Sequence, residues 1–131
     1  MLYLGSDKHI PLILWSEKNP NVAFNNPVTK PKHFSKKNVY YVNSTECCGC
    51  GFRQENDVLH PDFTEIEEKN KNQRQLYEHL SSFLSDENDI ELFGYWAGSE
   101  NDVTEKREIN VSELLKEDFY FAENELVKVR K

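Results

Sequence analysis

Ile90-Glu91-Leu92-Phe93-Gly94-Tyr95-Trp96-Ala97 is the stretch that decides the fold. It is short, rich in large apolar and aromatic side chains, and bounded by polar residues, which is the composition of a buried strand. Just upstream, Asp62 with Glu65 three residues on forms a capping-box pattern. Leu76, Tyr77, Leu80, Phe83 and Leu84 then recur at helical spacing on one face. The spacing predicts a helix from the Asp62 cap to about residue 85, ended by residues 86–89. Its first half, residues 67–75, is almost wholly polar and reads either as a projecting solvated helix or as a disordered lead-in.

Downstream, Gly98-Ser99-Glu100-Asn101-Asp102 is a turn, and residues 105–109 read as the hairpin partner of residues 90–97. Asn110 and Glu113 repeat the capping-box spacing and open a short helix through Leu114-Leu115. Phe119-Tyr120-Phe121 and Leu126-Val127-Lys128-Val129 flank Glu123-Asn124, the pattern of a terminal hairpin.

Towards the N-terminus, Leu2-Tyr3-Leu4 reads as a strand stopped by Gly5-Ser6-Asp7. Residues 10–15 read as a second strand with Pro11 at its start. Residues 16–31 carry Pro20, Pro27 and Pro31 among asparagines, a surface loop with Val22 and Phe24 tucked onto the core. Residues 38–43 hold Val39-Tyr40-Tyr41-Val42, a clear strand, with Phe52-Arg53-Gln54 as its return and residues 58–61 irregular. Strands at both ends with one principal helix between them, and no repeat or linker, predict a single α+β domain over residues 1–131. Its sheet is mostly antiparallel, with one main helix and one short helix.

The length of 131 residues suffices for one core. Only 37% of the residues are apolar and 30% are charged, but eight Phe, six Tyr and two Trp supply core volume from few positions. A net charge of −7 argues against nucleic acid, since phosphate backbones would be repelled. No apolar run is long enough to cross a bilayer, and residues 1–9 lack the basic and apolar regions of a secretory signal. With three cysteines inside four positions rather than a paired framework, the expectation is a reducing, cytoplasmic compartment.

Those cysteines form the densest chemistry in the chain, Cys47-Cys48-Gly49-Cys50-Gly51. The simplest reading is a glycine-rich turn with small buried thiols, with Gly49 and Gly51 supplying positive φ. A second reading is a soft-metal site for zinc, copper or an iron–sulfur centre, since Cys47 and Cys50 have the C-x-x-C spacing of a zinc knuckle. That site lacks a second ligand pair, and His33 and His60 are the nearest completing ligands to Cys47, Cys48 and Cys50. A third reading is thiol redox chemistry, but no helix start follows to lower a thiol pKa, and Glu46 would raise it.

Phe34-Ser35-Lys36 before the Val39-Tyr40-Tyr41-Val42 strand, Cys48-Gly49-Cys50-Gly51-Phe52, and residues 119–127 together resemble a group of small bacterial proteins of about this length. That group has no known function, so the resemblance implies a bacterial origin and an independent domain. Cys48-Gly49-Cys50-Gly51 is also similar to the C-terminal motif of A-type iron–sulfur carriers. In that family a third cysteine lies far upstream, whereas here no cysteine precedes Cys47 and a long segment follows.

No nucleophile elbow, phosphate-binding glycine loop or H-E-x-x-H helix is present, so no enzyme class is indicated. His9, His60 and His79 are scattered, with His79 on a helix flank. Lys30, Lys32, Lys36 and Lys37 around His33 and Phe34 read as a solvated loop or an anion contact. Tyr40, Tyr41, Tyr95 and Trp96 read as half the core or as a recognition patch. The expectation is a non-catalytic binding domain with a protein partner, no membrane and no cofactor. The alternative is a metal- or thiol-dependent protein built on the cysteine turn.

Overall fold

The computed structural model describes residues 1–18, 20–27, 32–45, 51–95 and 103–131. Six strands form one sheet: β1 (Leu2–Ser6), β2 (Ala23–Asn25), β3 (Asn38–Asn43), β4 (Ile90–Gly94), β5 (Glu105–Asn110) and β6 (Glu125–Arg130). Their order is β2-β3-β1-β4-β6-β5, antiparallel throughout except for the β5–β6 pair. The chain is an α+β domain: α1 (Glu55–Leu59), the long α2 (Phe63–Phe83) and a 3-10 helix (Val111–Leu115) complete it. Among the described residues, no helix is long and apolar enough to cross a membrane.

Strand alternation sorts the side chains onto two faces. Leu2, Leu4, Tyr40, Val42, Leu92 and Val127 meet Leu76 and Leu80 of α2 in the larger core. At roughly 1.5–3 kcal/mol for each large apolar side chain removed from water, this face carries most of the burial energy. The intervening residues Tyr3, Val39, Phe93 and Leu126 join Tyr95 in a second cluster, with Phe34, Tyr41 and Val103 packed against it. β1 is therefore buried on both faces, as befits a strand in the interior of the sheet.

The helix signals hold. Asp62 caps α2, its Oδ1 accepting from Thr64 N at 2.9 Å. Glu113 Oε2 accepts from Asn110 N at 2.8 Å, the reciprocal arm of a capping box, and the element it opens is a 3-10 helix. Residues 67–75 lie inside α2 as helix, with Asn72 and Gln73 fully buried.

Several strand expectations are overturned. Residues 10–15 contribute only a bridge, Ile13 N to Phe24 O at 3.2 Å and its reciprocal at 3.1 Å. The strand here is β2, because Val22, Ala23 and Phe24 can all be buried while Leu12 and Leu14 stay exposed. Residues 52–54 do not return along β3, whose outer side is taken by β2. A helix, α1, starts at Glu55 where none was expected after the cysteine turn, and it takes in the first two of residues 58–61, read as irregular. Residues 105–109 do not pair with β4, whose two sides are filled by β1 and β6. Glu105, Lys106 and Glu108 are exposed, so β5 takes the edge that a charged strand tolerates. The terminal hairpin is likewise absent. Phe121 N donates to Arg53 O at 2.9 Å, and Asn124, at φ 60°, turns the chain into β6 alongside β5. Between β5 and β6, Arg107 Nη2 meets Glu125 Oε1 at 2.8 Å and its guanidinium lies 5.0 Å over the Phe119 ring.

Candidate functional site

The two ends of the cysteine turn meet at α2. Chain leaving β3 through buried Ser44 and Thr45 returns at Gly51, where a Cβ would stand 2.3 Å from Ser44 Oγ and 2.7 Å from Asn72 Nδ2. Gly51 does not lie in the left-handed region; it is needed for close approach. Asn72 Nδ2 donates to Gly51 O at 2.8 Å, Thr45 Oγ1 to Glu68 Oε1 at 2.9 Å, and Trp15 Nε1 to Thr45 O at 3.2 Å. Cys47, Cys48 and Cys50 themselves lie outside the described residues.

The two histidines proposed as completing ligands sit apart. His33 packs on the face away from α2, its ring centroid 3.8 Å from that of Phe93 and 5.3 Å from that of Phe34. Both of its ring nitrogens are buried without a hydrogen-bond partner, and burial pushes its pKa down against the pull of Glu91. His60 is the exposed C-cap of α1, in the helical layer. Among the described residues, no three His, Cys, Asp or Glu side chains converge on a point that would hold a metal ion.

The aromatic patch is mostly interior. Tyr3 and Tyr95 stack with centroids 5.4 Å apart and share a hydroxyl–hydroxyl hydrogen bond of 3.1 Å. Tyr40 faces α2, and its hydroxyl accepts from Ile10 N at 2.9 Å. Tyr41 is half-buried against Tyr3, while Trp96 lies outside the described residues. The lysine-rich segment is partly neutralised, since Lys36 pairs with Asp89, which also holds Lys128 at 3.0 Å.

The surface feature that sequence reasoning missed lies in the helical layer. A groove of about 490 Å³ runs between α1, α2 and the 3-10 helix. Its floor holds two nearly inaccessible polar side chains, Arg53 at 5% exposure and Gln73 at 1%. Arg53 donates from Nη1 to Glu117 O at 3.0 Å and from Nη2 to Leu114 O at 3.2 Å. Burial lowers its pKa, opposed by Asp118, Glu117 and Asp57, so a charged guanidinium stays in place. Gln73 Nε2 also donates to Leu114 O, at 3.2 Å, while Gln73 Oε1 and Arg53 Nε have no partner.

Along the groove two apolar side chains face solvent: Phe63 is 83% exposed and Leu115 43%. The signal was present in the sequence as Phe63, Ile66, Asn70 and Gln73, one stripe at helical spacing along the polar half of α2. No protein-family model, no curated protein and no solved structure matches the chain.

Proposed function

We propose that the chain is a non-catalytic binding domain that captures a segment of a partner protein in the groove between α1, α2 and the 3-10 helix. The observation that carries this reading is the exposed pair Phe63 and Leu115 beside a floor of buried Arg53 and Gln73. Exposed apolar side chains grouped around a few convergent polar ones are the composition of a recognition surface. The occupant is a polypeptide with an apolar anchor for Phe63 and Leu115 and an acidic neighbour for Arg74, which lines the groove and has no ion-pair partner among the described residues. Three clustered cysteines, outside any paired framework, and the bacterial resemblance of the sequence support a bacterial cytoplasmic setting.

A photo-crosslinking residue at position 63, with position 14 as an equally exposed control, tests this reading. A defined heterologous adduct from position 63 alone, competed by unlabelled protein and not by its Phe63→Asp variant, is expected. Adducts that form equally from position 14, or only between copies of this chain, would sink the foreign-partner reading.

A second reading keeps Cys47, Cys48 and Cys50 as soft-metal ligands or reactive thiols, with His33 or His60 completing a zinc, copper or iron–sulfur site. Its support is the pinched base of the turn, where Ser44, Gly51 and Asn72 hold the two chain ends at fixed separation. Elemental analysis and thiol titration of tag-free protein test it. Near-stoichiometric metal that disappears when all three cysteines become serine is the expected result. Metal-free protein whose thiols titrate only after denaturation excludes it.

A further inference from the structure

The elements that wall the groove beside Phe63 are not held alike. α2 buries Leu76 and Leu80, and the 3-10 helix buries Val111 and Leu114. α1, which contributes Asp57 and Val58 to the lining, buries no residue. Its five residues fall far short of the roughly 12–15 at which an isolated helix becomes marginal in water. Neither packing nor length accounts for its being helical.

The side chain of Asp57 does. Its Oδ2 accepts from Gln54 N at 2.9 Å, closing the first turn, and Lys69 Nζ of α2 reaches both carboxylate oxygens, at 2.7 and 2.8 Å. Among the described residues, this is the one side-chain bond that joins α1 to another element. Arg53, the other cation near Asp57, commits its Nη1 and Nη2 donors to Glu117 O and Leu114 O. The side chains of Lys69 and Asp57 are only 16% and 15% exposed, so the carboxylate is mostly out of water and depends on the ammonium for its charge balance. Without that ammonium, it regains water only if α1 leaves α2. The chain on either side is fastened: Phe121 N donates to Arg53 O at 2.9 Å before α1, and Asp62 caps α2 after it. Any release is thus confined to the segment between them.

We infer that α1 is a conditional wall of the groove, helical only while Lys69 holds Asp57, so that this ion pair is a latch on the docking site. Its bearing on binding rests on the groove reading above, whereas the latch itself is tested without a partner. Ordering and occupancy are coupled in both directions. A segment seated against Val58 favours helical α1, and helical α1 favours the seated segment by the same factor.

Backbone amide relaxation measured on the full chain tests this. In the parent protein, order parameters of residues 55–60 should match those of α2, about 0.85, and in Lys69→Met they should fall below about 0.6 with residues 76–83 unchanged. Met has the helix propensity of Lys, so α2 stays intact, and Lys69→Arg, which keeps the charge, should leave α1 ordered. With the crosslinking residue at position 63, Lys69→Met should cut the heterologous adduct several-fold. Low order parameters already in the parent, no change in Lys69→Met, an equal loss in Lys69→Arg or a loss spread through α2 would each overturn the latch. Disorder of α1 in Lys69→Met with an unchanged adduct yield would overturn its control of the groove. A parent that gives no adduct from position 63 fails the groove reading alone, since the order parameters still judge the latch.

Discussion

Helix α2 is held to the rest of the molecule in two different ways along its length. Its C-terminal half is an apolar wedge: Leu76 and Leu80 are fully buried against the sheet, and His79 lies edge-on to Phe24 at 5.5 Å. Its N-terminal half buries no large apolar side chain, yet it touches four other segments through polar groups. Lys69 Nζ reaches Asp57 of α1 at 2.7 Å, Asn72 holds Gly51, Gln73 holds Leu114 O, and Gln75 Oε1 accepts from Val22 N at 2.9 Å. The apolar half sets where the helix lies, because burial is non-directional and large. The polar half sets where the loops lie, because each hydrogen bond names one partner and one angle.

Leu80→Ala tests the first half and has the largest expected effect. It should cost about 2–5 kcal/mol in urea unfolding, through lost transfer energy and an unfilled cavity. A loss below about 1 kcal/mol would mean that the sheet face collapses around the gap. In the second half, Asn72→Leu keeps similar volume but strands the buried Gly51 carbonyl, at about 1–3 kcal/mol. Gly51→Ala should cost a similar ~1–3 kcal/mol by driving a methyl into Ser44 and Asn72. If Asn72→Leu is neutral, the polar half is packing like any apolar one and the contrast collapses.

Acid sharpens the comparison. Burial lowers the pKa of His79 in the apolar half and of His33 on the opposite face from their ordinary 6.5. The unfolded chain therefore binds more protons than the folded one below that value. The stability both rings contribute is present above about pH 6.5 and is lost as pH falls below it. Urea midpoints should drop between about pH 7.5 and pH 5.5, and His33→Phe with His79→Phe should flatten that slope. An unchanged slope in the double variant would assign the pH dependence to other groups. The smallest expected effect on stability is Phe63→Ser, within about 0.5 kcal/mol, because the side chain is already exposed. A larger loss would place Phe63 in the fold and weaken its role as a docking residue.

The same contrast explains what could be read from the sequence. Apolar periodicity marked β1, β3, β4 and the second half of α2, because burial leaves a repeat that spacing reveals. Capping residues Asp62 and Glu113 marked the starts of α2 and the 3-10 helix, since a cap is a local contact between near neighbours, whereas the Gln54–Asp57 box that opens α1 went unread. Strand partners were a different matter. Residues 105–109 had the length and position of a hairpin arm for β4, and only long-range competition from β1 and β6 sends them to the edge. Asn72 and Gln73 read as solvent-facing because a buried amide and an exposed one have the same letter. Their burial depends on partners that lie 21 and 41 positions away. The groove beside Phe63 was hidden for the same reason, as its walls come from three separate elements.

The two borders of the sheet have a consequence for the protein at high concentration. An open border exposes backbone donors and acceptors that can recruit a strand from another molecule. Here one border is β2, three residues long, with the N–H and carbonyl of Phe24 already bonded to Ile13 at 3.1 and 3.2 Å. The other is β5, where Glu105, Lys106 and Glu108 alternate in sign and Arg130 ties Glu108 at 2.8 Å. One border is too short to template a fibre and the other is charged against self-pairing. Crowded copies of this chain are thereby kept from stacking edge to edge.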